Sequence, residues 1–124
     1  VSRAFNDALV DAGGSLPIWL VLAALKESPW RTQLDLARAV GIEGPTLTRH
    51  LDGLEEAGIV VRRRDPDDRR AVRVELTEAG ERLFGTLLKA VISFNKRLTA
   101  GLSEQELKRL RTTLAKLQQN VRTE

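Results

Sequence analysis

Cysteine is absent from the 124 residues, which excludes disulfides, thiolate metal sites and thiol redox sensing. Histidine occurs once, as His50. A zinc site draws on three or four nitrogen, sulfur or carboxylate ligands, so no metal site is expected. There is no Gly-rich phosphate loop, no HExxH and no Ser or Cys nucleophile motif. The chain is therefore read as a non-enzyme, with no catalytic residues and no resident cofactor. Methionine is absent too, so the initiator is expected either to be processed off or to lie outside the chain with some native N-terminal sequence. The longest apolar run, Leu16 to Leu25, falls short of the roughly 20 residues that span a bilayer. It contains Pro17 and has no basic residue just before it, so neither a membrane span nor a signal peptide is expected. A cytoplasmic location and no membrane partner follow as expectations.

What is present is ordinary globular composition, 42% hydrophobic and 30% charged, and the length of one domain. The formal charge of +3 is weak evidence for a polyanionic partner. Its distribution says more: six arginines lie between Arg62 and Arg73. Yet from Glu43 to Glu78 there are seven arginines against nine carboxylates, a net charge of −2. Attraction by net charge alone therefore does not predict binding to nucleic acid from this segment.

The periodicity organises the chain. Val1 to Ala12, with Phe5 and Leu9 four apart, reads as the end of a helix before Gly13-Gly14. Leu16 to Lys26 is apolar almost all round and reads as a buried helix ended by Ser28-Pro29. Thr32 caps a helix carrying Leu34, Ala37 and Val40 that stops at Gly41. After four residues Pro45 opens another, with Leu47, Leu51 and Leu54 on one face and Gly58 as its stop. Two short helices joined by a tight turn form a helix-turn-helix. Ile59-Val60-Val61 and Val72-Arg73-Val74-Glu75-Leu76 then read as strands around the turn Asp65-Pro66-Asp67-Asp68. Thr77 caps the next helix, with Leu83, Leu87, Val91, Phe94 and Leu98. Ser103 and Glu106 make a capping box for the last. The expected fold class is mainly α (α+β): a winged helix-turn-helix at 15–80 within a single 1–124 domain, flanked by N- and C-terminal dimerisation helices at 1–12 and 81–124.

A helix pair followed by a hairpin suits a DNA duplex, because the major groove, about 12 Å wide, admits one helix with its side chains. The helix opened by Pro45 buries its leucines, leaving Thr46, Thr48, Arg49 and His50 near its N-terminus as candidate DNA contacts. Threonine can meet phosphates or base edges, and arginine can fork onto guanine O6 and N7. On the hairpin, an arginine can enter the narrow, electronegative minor groove. Arg64, Arg69 and Arg70 are the candidates there, with Asp68 in place to orient the Arg70 guanidinium by a bidentate pair. Pro45 reads as a helix starter.

Two motifs carry a family resemblance. Asp68-x-Arg70-x5-Leu76-Thr77-x2-Gly80 resembles the wing signature of the MarR family of bacterial transcriptional regulators. The run Thr48-Arg49-His50-Leu51-Asp52-Gly53-Leu54-Glu55-Glu56-Ala57-Gly58-Ile59-Val60 resembles its recognition-helix segment. The resemblance implies a homodimer reading double-stranded DNA at a pseudo-palindromic operator, usually as a repressor. It implies Arg70 as the wing-tip arginine and Asp68 as its orienting acid. It also implies a small aromatic or anionic effector, held between the dimer helices and the DNA-binding lobe.

Phe5 and Trp19 are the candidate lining of such a cleft, with core packing as the competing reading, and Trp30 is expected to anchor packing. Leu107, Leu110, Leu114, Leu117 and Val121 repeat by threes and fours. With Phe5 and Leu9 they are the candidate dimer interface, since monomers rarely expose such stripes. The rival functional reading is a winged helix that binds protein rather than DNA, supported by the −2 charge of its reading segment.

Overall fold

The computed structural model describes residues 2–28 and 32–122. Pro29 and Trp30, to which the sequence assigned a helix stop and a packing anchor, lie outside the described residues. The chain divides into two compact units, Val1–Ile92 and Ser93–Glu124.

The first unit contains α1 (Ser2–Asp11), α2 (Leu16–Glu27), α3 (Gln33–Val40), α4 (Gly44–Glu56), β1 (Val60–Arg64), β2 (Val72–Leu76) and most of α5 (Glu78–Leu98). Each start has a local cause. The Ser15 hydroxyl accepts from Ile18 N–H at 3.3 Å, and Asn6 Oδ1 on α1 accepts from Leu16 N–H at 3.0 Å. Together these satisfy two of the unpaired donors that open α2. Thr32 Oγ1 accepts from Asp35 N–H at 3.1 Å to start α3. That helix stops at Gly41, which takes the left-handed φ of 74° that a Cβ would strain. Pro45 sits in the first turn of α4, where a missing N–H has no consequence.

One core holds these elements together: Val21, Leu22 and Leu25 of α2, Leu36 of α3, Leu47, Leu51 and Leu54 of α4, Val60 and Val74 of the strands and Leu87 of α5. Two expectations need correction. Leu9, expected at a dimer interface, is fully buried inside its own chain, and Phe5 is half-buried against the same core. On α3 the core residue is Leu36, while Leu34 is 61% exposed. An eight-residue helix offers only two turns, and its approach to the core is set by Leu36.

The strands pair antiparallel, from Val60 opposite Leu76 to Arg64 opposite Val72, and an isolated bridge joins Thr32 to Arg73. The hairpin is thereby tied to the start of α3. Its base is fixed by the Thr77-x2-Gly80 motif. Thr77 Oγ1 shares its proton between the carbonyls of Gly58 and Ile59, at 2.5 and 3.0 Å, and accepts from Gly80 N–H at 3.0 Å. A Cβ on Gly80 would lie 2.2 Å from the Ile59 carbonyl oxygen. Only glycine lets α5 pass this close to the strand.

The second unit is built on α6 (Glu104–Arg122). Its start is the expected capping box: Ser103 Oγ accepts from Glu106 N–H and Glu106 Oε1 from Ser103 N–H, each at 3.1 Å. Leu107 is half-buried. Leu110, Leu114, Leu117 and Val121 are 49%, 55%, 58% and 77% exposed. No residue of α6 is buried within the chain.

Candidate nucleic-acid interface

The N-terminal half of α4 is anchored by Leu47 and Leu51, both fully buried. That anchoring leaves Thr46, Thr48 and His50 half-buried and Arg49 exposed. Arg64, Arg69 and Arg70 on the hairpin are exposed. Among the described residues, none of Arg49, Arg64, Arg69 and Arg70 takes part in an ion pair within the chain.

The remaining arginines of the segment are engaged. Arg62 donates from Nη2 to Asp52 Oδ1 at 2.6 Å and to Glu55 Oε1 at 2.8 Å, and from Nε to Glu55 Oε1 at 3.2 Å. Its backbone N–H reaches Glu55 Oε2 at 3.2 Å. Arg73 Nε donates to Asp65 Oδ2 at 3.0 Å, and Arg63 lies 4.0 Å from Glu75. Three of the seven arginines are therefore paired with four of the nine carboxylates among the described residues. The four left unpaired are those on the expected reading face. The −2 charge of the segment is thus a poor guide to the field at that face.

The pairings leave their mark on titration. Hydrogen bonds from the Arg62 side chain and backbone hold the Glu55 carboxyl below its ordinary value. The same partners, Glu55 first and then Asp52, raise Arg62. Asp65 is lowered chiefly by the Asp67 N–H, which donates to it at 2.8 Å, and then by Arg73.

Asp68 departs from expectation. Its Oδ1 accepts from the backbone N–H of Arg70 at 3.0 Å, and it makes no ion pair with the Arg70 guanidinium. Two residues of separation favour this local turn bond over a fork across the side chains. Asp68 thus shapes the tip and leaves the Arg70 side chain unrestrained. Both residues border a groove of about 560 Å³ between the hairpin and the start of α3, with Thr32, Gln33, Leu34 and Val72.

Two residues that the sequence reading passed over help build this face. Arg62 clamps the hairpin to α4. Gln33 Nε2 donates to Thr48 Oγ1 at 2.8 Å, and that hydroxyl donates to the Gly44 carbonyl at 3.0 Å. Neither partnership has a short-range signature, since the partners are seven to fifteen positions apart.

Phe5 and Trp19 are half-buried against the core. Trp19 stacks on Phe84 with centroids 5.5 Å apart and planes 10° from parallel. Lys26 lies 5.7 Å over the same Phe84 ring and pairs with Glu81 at 2.9 Å. A separate, mostly apolar cleft of about 450 Å³ is bordered by Gly13, Ile18, His50, Leu54, Ile59 and Leu83. Neither Phe5 nor Trp19 lines it, whereas Arg49 and His50 of α4 do. No group of three or more metal-binding side chains occurs among the described residues. No single helix there is long and apolar enough to cross a membrane.

The MarR family model matches residues 15–72. Solved structures match nearly the whole chain. A transcriptional repressor, CouR, bound to a 23-mer DNA duplex is 30% identical, covering 94% of this chain and 82% of that one, with a TM-score of 0.86. A transcriptional regulator (MarR family) from Rhodococcus sp. RHA1 is also 30% identical, with the same coverages and a TM-score of 0.82. A mutant MarR from E. coli complexed with operator DNA is 27% identical, covering 94% of this chain and 84% of that one, with a TM-score of 0.84.

Proposed function

The chain belongs to the MarR family and is a DNA-binding transcriptional regulator, and from that premise we propose that it is a homodimeric, effector-responsive repressor reading a pseudo-palindromic operator. In this reading α4 enters the major groove with Thr46, Thr48, Arg49 and His50. The hairpin carries Arg70 to the minor groove, with Arg64 and Arg69 beside it. The observation that carries the reading is the division of arginines. The part-buried Arg62 and Arg73 are paired with carboxylates, whereas the exposed Arg49, Arg64, Arg69 and Arg70 take part in no ion pair among the described residues.

The dimer is supported by α6, whose leucine seam is half-exposed in the single chain. A stripe of that size is normally covered in solution. Phe5, half-buried at the other end of the chain, is the remaining candidate for the same interface. Effector response is supported by the cleft beside Arg49 and His50. A small aromatic acid seated there would touch the recognition helix directly and shift its position. On this reading the protein acts in the bacterial cytoplasm, where its operator is. The rival protein-binding reading rested on net charge, and the similarity to DNA-bound regulators does not favour it.

The test is fluorescence anisotropy with random duplex at low salt, followed by selection of bound duplexes from a random pool. Binding that falls steeply with salt, as released counterions require, and enrichment of a palindromic sequence are expected. No binding at about 100 µM, weaker than ordinary non-specific affinity, would overturn the reading. Competition by small aromatic acids tests the effector separately.

A further inference from the structure

Thr48 lies in the half of α4 that faces the groove, yet its hydroxyl is already engaged on both sides. It accepts from Gln33 Nε2 at 2.8 Å and donates to the Gly44 carbonyl at 3.0 Å. A hydroxyl has one proton and two lone pairs. The Gly44 oxygen can only accept, so the proton points there, and Gln33 meets the hydroxyl with an amide N–H. One lone pair and the methyl group remain. In this arrangement Thr48 can accept a hydrogen bond from DNA but cannot donate one.

The bases differ on this point. In the major groove adenine presents an N6 amino donor and cytosine an N4 amino donor, whereas guanine and thymine present only acceptors and the thymine methyl. We infer that Gln33 is a specificity-determining positioning residue: by fixing the Thr48 hydroxyl as an acceptor, it makes α4 select adenine or cytosine at the base facing Thr48. The inference rests on the proposed seating of α4 in the major groove.

Gln33 is well placed to hold this geometry. It is the first residue of α3, directly after the Thr32 cap, and Thr32 is bridged to Arg73 of the hairpin. Its backbone is thus anchored by the helix start and by the wing, and its half-buried side chain crosses to α4. The Gln33 carboxamide joins α3 to α4 at the side chain whose proton position matters, and the adjacent Thr32 joins α3 to the hairpin. Without it the Thr48 proton is held by the Gly44 carbonyl alone and is released more readily to guanine O6 or thymine O4.

The experiment compares the full chain with Gln33→Ala, Thr48→Val and the double variant. Duplexes come from random-pool selection with the unmodified protein and are then varied one base pair at a time. Further probes replace adenine by purine, which lacks the N6 amino group, or cytosine by 2-pyrimidinone, which lacks N4. At one position per half-site the unmodified protein should prefer adenine or cytosine about three- to tenfold, the range of one hydrogen bond. Deleting the amino group should abolish that preference. In both single variants the preference should fall below about twofold, and the double variant should lose no more. Gln33→Met keeps the side-chain length but has neither hydrogen-bond donor nor charge. It should also lose the preference and guards against misfolding of Gln33→Ala. A preference unchanged in the folded Gln33→Ala and Gln33→Met variants would overturn the role of Gln33 while leaving DNA reading intact. So would a Thr48→Val effect confined to positions where guanine or thymine is preferred. Absence of any duplex binding by the unmodified protein would overturn the DNA reading itself.

Discussion

Arg62 and Glu55 join the hairpin to the recognition helix through both backbone and side chain: the Arg62 N–H reaches one carboxylate oxygen at 3.2 Å, and its Nε and Nη2 reach the other at 3.2 and 2.8 Å. The same Nη2 extends to Asp52 at 2.6 Å. One guanidinium thus ties β1 to α4, the two elements that read DNA in the proposed function.

Replacing Arg62 should consequently affect binding more than folding. Glu55 and Asp52 are 40% and 57% exposed at their side chains, and pairs so open to water add little stability. Arg62→Ala leaves two uncompensated carboxylates beside the phosphates and frees the wing. About tenfold weaker duplex binding is expected, with only a small decrease in the denaturant midpoint. Arg62→Lys keeps the charge but cannot fork between two carboxylates, so its affinity should fall between the two. Equal affinities for all three proteins would show that the clamp is irrelevant to DNA.

The clamp also predicts an acid response. Glu55 is held below its ordinary value of 4.5, first by the Arg62 side chain. Its contribution is therefore complete above the unfolded value and is lost as pH falls through the lower, folded one. Asp65, lowered from 3.8 mainly by the Asp67 N–H and then by Arg73, acts in the same direction. Thermal melting should be insensitive to these groups at neutral pH and should decline below about pH 4.5. Glu55→Gln should make that decline shallower; an unchanged slope would exclude Glu55 as a contributor.

Which of these features could be read from the sequence follows from their range. The caps at Ser15, Thr32, Thr77 and Ser103 each join groups three residues apart, and so their spacing is visible in the chain. The leucines of α4 were legible because thirteen residues give a clear helical period. Leu34 was not, because two turns of α3 leave the period undetermined. The Phe5/Leu9 stripe was legible as a stripe, but periodicity does not say whose surface will cover it. The partnerships of Arg62 with Glu55 and of Gln33 with Thr48 arise only once separate elements meet. Asp68 was assigned to the Arg70 side chain because carboxylate and guanidinium are complementary, whereas the nearer backbone N–H takes it.

Arg70 and Arg49 should fail in different ways. Both are exposed and outside any ion pair among the described residues. In the proposed reading Arg70 on the hairpin tip meets the minor groove and phosphates. Arg70→Ala should weaken binding to every sequence and make the salt dependence less steep by about one unit. In the same reading Arg49 in the first turns of α4 meets a base edge. Arg49→Ala should cost about 1–3 kcal/mol and relax preference at one base pair. Gel-shift titrations against the selected duplex and its single-pair variants separate the two; identical profiles would refute the assignments.

The α6 seam supplies the last prediction. Leu114 and Leu117 are 55% and 58% exposed in one chain, so a charged residue there costs the isolated chain little, within about 0.5 kcal/mol for surface positions. Across a symmetric interface the same charge is buried twice and meets its own copy. Leu114→Glu and Leu117→Glu should therefore sediment as monomers with unchanged helix content. A monomer brings one reading lobe to a two-part operator. It loses the gain from holding the second lobe nearby, a factor of about 100 or more, while non-specific binding to a single half-site persists. A variant that remains dimeric, or one that is monomeric with undiminished operator affinity, would show that α6 does not couple the two lobes.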